Sequence, residues 1–302
     1  MAQTATVAIK EWRKNNKLIC QIKLKYKKVL RKCREIPLAG GKYKEYQALC
    51  DKYVCARLTG ATQGLVSFQD KPFKAYLNKK MSRRAKLDIA YGSLIFIEKT
   101  FSAAALPQLY NVVEYGLTVA EIPLKNGSHI AVKLLASPFQ EEGELMLLML
   151  QDGKRIYSIC FSCTEDGRAY IGGIQGGKDI ANDEIKVLTK ELHGTRPKNL
   201  IISLLYGFLQ HSDIKEIYAI DSDFHVKSEK VQTSYAALWL EVGGEKHRRG
   251  WYKLPPQEIK KSIEEVKSKH RSQFIKREGL KELAQLEMKA ALRQISGSRP
   301  VN

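Results

Sequence analysis

The stretch GELMLLMLQDGKRIYSICFSCTEDGRAYIGGI, residues 143–174, decides the fold. Glu144 to Leu150 is a nearly unbroken apolar run of strand length, bounded at once by Asp152-Gly153. Asp-Gly suits a two-residue hairpin in which both central positions need positive φ, so the chain turns straight back into Arg155 to Cys163. A second Asp-Gly, at 166 and 167, returns it into Arg168 to Ile174. The result is an antiparallel meander, and upstream of it His129 to Leu135, HIAVKLL, alternates as a further strand.

Moving outward, Lys86 to Thr100 and Ala103 to Ala120 have helical apolar content, the second interrupted at Pro107, and Pro123 closes the helical region. After the meander comes a short helix at Asp183 to Glu191, then HGTRPKNLIISLLYGFLQ, His193 to Gln210. That helix is apolar nearly all round, so both of its faces need cover. Gly207 inside it costs about 1 kcal/mol relative to Ala, which close approach of a neighbouring strand would offset. Glu216 to Ile220 reads as a strand, and a helix around Trp239 and Glu241 ends at Gly243-Gly244. Beyond Pro255-Pro256, a stripe from Ile259 through Leu292 predicts one long or broken helix. The expected class is α/β of the α+β kind: a central, mainly antiparallel sheet with flanking helices and helical extensions at both ends. The expected division is a basic, largely helical extension at 1–84, an α/β domain with a C-terminal helix at 85–295, and a disordered tail at 296–302.

Charge is distributed unevenly. The 302 residues are 44% hydrophobic and carry a net charge of +19, but residues 1–84 hold 21 Lys and Arg against 5 Asp and Glu, and the remainder is nearly balanced. Lys10 to Arg34 has 11 basic residues with Glu11 as its one acid, and Leu18, Ile22, Tyr26, Val29 and Cys33 fall on one helical face beside Trp12. This pattern suits an anionic membrane surface, an envelope precursor or an acidic protein partner, or else a solvated helix packed on the core. No zinc-finger, helix-turn-helix or RNA-binding strand motif accompanies it, which argues against nucleic acid. No apolar run approaches a bilayer span, and the N-terminus lacks a signal-peptide core, so the expected location is the cytoplasm, peripheral at the inner membrane. Six scattered cysteines agree with a reducing compartment. Cys160-x-x-Cys163 lies within a strand and has no second pair or His at ligand spacing, so no metal is expected.

The turn before the apolar helix is a candidate anion site. Pro197 suits the first helical turn, and the amides of Lys198, Asn199 and Leu200 would point outward with the positive end of the dipole. An ordinary helix entry has the same sequence, and both readings stay open.

The segments GELMLLML, RIYSICFS, IGGIQGG, LHGTRPKNLIISLLYGF, AIDSDFHV, YAALWLEVGG and KLPPQEIKKSIEEVKSKHRSQFIKREGLKEL occur in the order seen in the VirK/YbjX family of Gram-negative bacteria, and the chain resembles that family over roughly residues 85 to 292. The resemblance implies a factor of the cell envelope tied to virulence, resistance to cationic antimicrobial peptides and display of surface proteins. The order of elements over 144–241 also resembles the core of the GCN5-related N-acyltransferase fold. That second resemblance implies acyl-CoA as cofactor and Ile171 to Gln175 as a splayed strand. Gln175, His193, Gly194, Thr195, Arg196 and Lys198 would hold the donor. Tyr206 or His225 would face the thioester, and His225 is the best-placed base, with Asp221 or Asp223 to orient it. The chain departs from the fold's pattern in lacking the Q-x-x-G-x-G turn and in the fifteen residues, Lys178 to Leu192, that precede His193.

Overall fold

The computed structural model describes residues 41–57, 68–111, 114–178, 180–230 and 234–297. The basic helix expected at Lys10 to Arg34 lies outside them. Two units are present, residues 1–45 and 46–302. The larger unit thus takes in 46–84, which the sequence reading assigned to the extension.

Helix α1 is Gly41–Arg57 and α2 is Arg83–Thr100, entered at Ser82, whose side chain accepts from the Ala85 N–H at 3.2 Å. The expected helix at Ala103 to Ala120 is corrected. Only α3, Ala105–Leu109, forms, and β1, Leu117–Pro123, follows. Tyr115 and Gly116 both have positive φ, which ends any helix and swings the chain into register with the next strand. That strand is β2, His129–Ala136, followed by β3, Leu145–Gln151, β4, Lys154–Thr164, and β5, Arg168–Gly176. Asp152 at φ 50 and Gly153 at φ 76 make the turn that the sequence demanded. Helices α4, Asn182–Glu191, and α5, Pro197–His211, carry the chain across to β6, Glu216–Ile220. Then come α6, Tyr235–Glu241, β7, Glu245–His247, β8, Trp251–Leu254, and α7, Arg271–Ile295. Residues 255–267 are not helical, which corrects the long C-terminal stripe to α7 alone, preceded by a short 3-10 turn.

The eight strands form one sheet in the order β1-β2-β3-β4-β5-β6-β8-β7. Every pair is antiparallel except β5 with β6. From Leu145 to Leu150, β3 is buried on both faces, which accounts for its unbroken apolar run. Helix α5 packs on β3 and β4 and is covered on its far side by α7. The close approach at Gly207 is made by Gln285 of α7 rather than by a strand: a Cβ there would lie 3.1 Å from the Gln285 Cγ. Of the expected tail, Ser296 and Gly297 are held: Ser296 bridges Phe101 and the Gly297 N–H donates to the Thr100 carbonyl.

Candidate functional site

The parallel pair is short. Strand β5 matches β6 only from Arg168 opposite Glu216 to Ile171 opposite Ala219, while on its other edge it stays paired with β4 as far as Gly176 opposite Tyr157. Strand β6 ends at Ile220, and past Ile171 the two parallel strands are no longer paired. At that point β5 carries an extra residue: Phe161 faces Ile171 and Cys160 faces Gly173, so Gly172 is bulged out. Only glycine fits, since a Cβ on Gly172 would lie 2.0 Å from the Glu142 carbonyl oxygen, and one on Gly173 2.5 Å from Glu142 Oε2.

Glu142 comes from the loop between β2 and β3 and is fully buried. Gln175 Nε2 donates to both of its carboxylate oxygens, at 2.9 and 2.7 Å. His225, 2% exposed just beyond the end of β6, holds Nε2 3.6 Å from Glu142 Oε1, and that nitrogen makes no hydrogen bond. Its Nδ1 accepts from the Lys227 backbone N–H at 3.0 Å, so in the neutral ring the proton sits on Nε2, the nitrogen nearer the carboxylate. Burial raises the Glu142 carboxyl from 4.5 to about 7, against the pull of Lys227 and the Gln175 hydrogen bond. Burial also lowers the His225 imidazole below its usual value. Near pH 7 a neutral ring therefore stands beside a carboxyl that is easily protonated or deprotonated.

The surroundings hold this arrangement under strain. Leu77, buried, has φ 55, a left-handed conformation that a bulky side chain rarely takes, and its N–H donates to the Glu141 carbonyl at 2.7 Å. Asn78 bridges His225 across the backbone and donates its Nδ2 to the Arg249 carbonyl at 2.7 Å. Where the pairing of β5 and β6 stops, α6 reaches both strands. The Tyr235 hydroxyl donates to the Ile174 carbonyl at 3.1 Å and Trp239 Nε1 to the Ile220 carbonyl at 2.8 Å, so each strand is met by one aromatic side chain. Gln175 is half-buried and is the member of the cluster nearest solvent.

The residues expected to share one site are divided. Gln175 and His225 meet at Glu142. Gly194, Thr195, Arg196 and Tyr206 instead line a cavity of about 500 Å³ against α7, and His225 is not among its walls. Lys198 pairs with Glu241 at 3.6 Å rather than entering the cavity. His193 and Gly194, at φ 54 and 85, end α4 in a Schellman motif, with the Gly194 N–H donating to the Thr189 carbonyl and the His193 N–H to that of Lys190. Asp221 does not orient His225; its carboxylate accepts from the Asp223 N–H and caps the turn that follows β6. Glu142, Leu77 and Asn78 were missed, although the paired glycines of IGGIQGG mark the bulge where they gather.

A second buried cluster lies two residues further along the chain, at Glu144. Glu144 pairs with the buried Lys71 and accepts from the Tyr76 hydroxyl at 3.1 Å, and Tyr76 in turn meets Ser162 Oγ at 2.9 Å. Among the described residues no group of His, Cys, Asp and Glu is arranged to hold a metal, and no helix is long and apolar enough to cross a membrane. Cys160 and Cys163 are buried free thiols.

A family model described as "Protein of unknown function (DUF535)" matches residues 43–290. The chain is 28% identical over 234 residues to the uncharacterized protein YbjX of Escherichia coli, covering 73% of this chain and 70% of that protein. Two uncharacterized proteins of Haemophilus influenzae are 27% identical over 135 residues (42% of this chain, 45% of that protein) and 23% identical over 210 residues (67% and 68%). Among solved structures, two mutants of a cAMP-binding acyltransferase from Mycobacterium smegmatis align at 9% and 8% identity. Their TM-scores are 0.33 and 0.29, with 63% and 57% of this chain and 60% and 55% of those chains covered.

Proposed function

This chain belongs to the DUF535 family, that of YbjX, and we propose that it is an acyl-transfer enzyme acting on a component of the cell envelope, with Glu142 as its base. The observation that supports this reading most is the buried pair itself. A carboxylate with a pKa near 7 and an imidazole N–H without a partner face each other at the glycine bulge where two parallel strands cease to pair. The carboxyl ends of parallel strands are a common place for reaction centres in α/β sheets.

The hydrogen bonding supports roles that differ from those expected from the sequence. With Nδ1 already accepting, His225 serves as a donor, and Glu142 serves as the base. The acceptor's hydroxyl or amine would give its proton to Glu142 as its lone pair attacks the acyl carbon. The carbonyl electrons move onto oxygen, toward the His225 Nε2–H. Collapse expels the leaving group, which takes the proton back from Glu142.

Release of free thiol from acyl-CoA in the presence of envelope lipid or peptidoglycan precursors tests the reading. The rate is expected to rise with pH through about 7 and then level off. Glu142→Gln should lower it by about 10²–10⁴-fold. An unchanged rate in that variant would remove the proposal. The charge of residues 1–84 supports a second reading, a peripheral factor that docks on anionic membrane. Flotation with anionic liposomes should be lost when residues 1–40 are deleted; flotation that survives the deletion counts against it.

A further inference from the structure

The cavity beside α5 has features the reaction centre does not use. Thr195 is 2% exposed and Tyr206 3% exposed, both line the cavity, and neither hydroxyl has a hydrogen-bond partner. The buried Oδ1 of Asn199, on the same wall, is also unpartnered. Leaving a buried polar atom unpaired is unfavourable, so three around one cavity point to a ligand that satisfies them. Thr195 and Asn199 lie at the N-terminal end of α5, a helix of 15 residues, where the dipole favours an anion, while Tyr206 reaches the cavity from further along the same helix.

The charges agree once existing pairs are removed. Glu258 is held by Lys281 at 3.1 Å and by Ser203 at 2.6 Å, Glu278 by Arg277 and Lys281 at 3.3 and 3.4 Å, and Glu241 by Lys198 and Asn199. Arg196 and Lys261, both on the cavity wall, are in no ion pair among the described residues. The same opening also has an apolar side: Leu240 is 60% and Ile259 65% exposed there, next to Phe274. Large aliphatic side chains left open to water beside free cations suit a molecule that is anionic at one end and hydrocarbon at the other. A volume of about 500 Å³ is within the range of small-molecule sites.

We infer that this cavity binds a single-chain amphiphile with a phosphate headgroup, the phosphate held by Arg196, Lys261 and the Thr195 hydroxyl and the chain lying along Leu240, Ile259 and Phe274. The site is separate from Glu142 and His225. Its test reads binding and needs no turnover, so its failure leaves the acid–base reading untouched, and the reverse holds too.

The experiment is calorimetry on the full chain with monomeric oleoyl lysophosphatidic acid, compared with monoolein, inorganic phosphate and coenzyme A. Lysophosphatidic acid is expected to bind about tenfold or more tightly than each of the others. The double variant Arg196→Ala/Lys261→Ala, which changes two exposed side chains, should weaken binding by about tenfold or more, and Thr195→Val by a few-fold. Equal affinity for monoolein would make the site a plain apolar groove, and equal affinity for phosphate or coenzyme A would remove the role of the chain. Binding that survives the double variant would place the lipid elsewhere, with the basic N-terminal residues the obvious alternative. Any of these results, or no binding at all, overturns the inference.

Discussion

Glu142→Gln should make the protein more stable, and more so as pH rises. In the unfolded chain this carboxyl titrates near 4.5; in the folded chain burial moves it to about 7. The folded state therefore holds the proton more tightly. Below pH 4.5 both states are protonated and the residue is neutral to stability. As pH climbs from 4.5 to about 7 the unfolded state ionises freely while the folded state resists, and stability is lost. At about 1.4 kcal/mol per pKa unit, the full penalty is about 3 kcal/mol and is complete above pH 7. A glutamine keeps an oxygen to accept from Gln175 and carries no charge, so it escapes the penalty. In urea unfolding of the full chain, variant and parent should be nearly level at pH 5. At pH 8 the variant should be ahead by up to about 3 kcal/mol, near 1 M in midpoint. His225 titrates in the opposite sense: its folded pKa is lowered, so its contribution is present above the unfolded value near 6.5 and is lost as pH falls. Both proteins contain it, so the difference curve isolates Glu142 apart from the coupling of the pair. A difference that is flat from pH 5 to 8, or that favours the parent at pH 8, would refute the argument. Combined with the expected loss of transfer activity, the gain would mark Glu142 as a group that the fold keeps at a cost to stability.

Two further changes test the packing around it. Lys71→Ala removes one partner of a buried pair and leaves Glu144 uncompensated, a loss of about 3–5 kcal/mol; Lys71→Met with Glu144→Gln should recover most of it in the same urea melts, and a single-variant loss below about 1 kcal/mol would mean the pair is not sealed from water. Gly172→Ala drives a methyl into the Glu142 carbonyl and should cost at least about 1–3 kcal/mol along with transfer activity, whereas Gly279→Ala, in α7 with nothing within 4 Å of the new methyl, should gain about 0.5–1 kcal/mol.

The sequence shows its strands where turn chemistry is local. Asp152-Gly153 and Asp166-Gly167 place β3, β4 and β5 within a residue or two, because the hairpins they permit are short and fix the register themselves. It misleads where pairing comes from far away. Leu117 to Pro123 has the apolar content of a helix but pairs with β2, with Leu117 facing Leu134 and Pro123 facing His129. Trp251 to Leu254, only four residues long, becomes a strand because β6 offers it an edge. The stripe at Ile259, Ile263 and Val266 has helical spacing, but Ile259 is left largely exposed and the other two half-exposed, so burial gives a helix there little support.

The buried cluster at Glu142 is harder still to read, and for a physical reason. Glu141, Glu142 and Glu144 look alike in the sequence, a run of acids between two apolar strands that would ordinarily be solvated. What separates them is Gly143, which lies so close to Phe161 that a Cβ would sit 2.6 Å from its backbone nitrogen and oxygen. Pressed against β4 there, the loop sends Glu142 toward the glycine bulge of β5 and Glu144 toward Lys71, while Glu141 stays at the surface with Lys227. The residues that meet Glu142 come from 172–175 and 225, and residues 77–78 hold its neighbours Glu141 and His225, so three separate parts of the chain build the cluster. No spacing rule links those positions, because the sheet, and not the helix or strand period, brings them together. His225 and Gln175 were legible only as polar residues at strand ends; that they serve the same carboxylate depends on the order β4-β5-β6, which only long-range pairing decides.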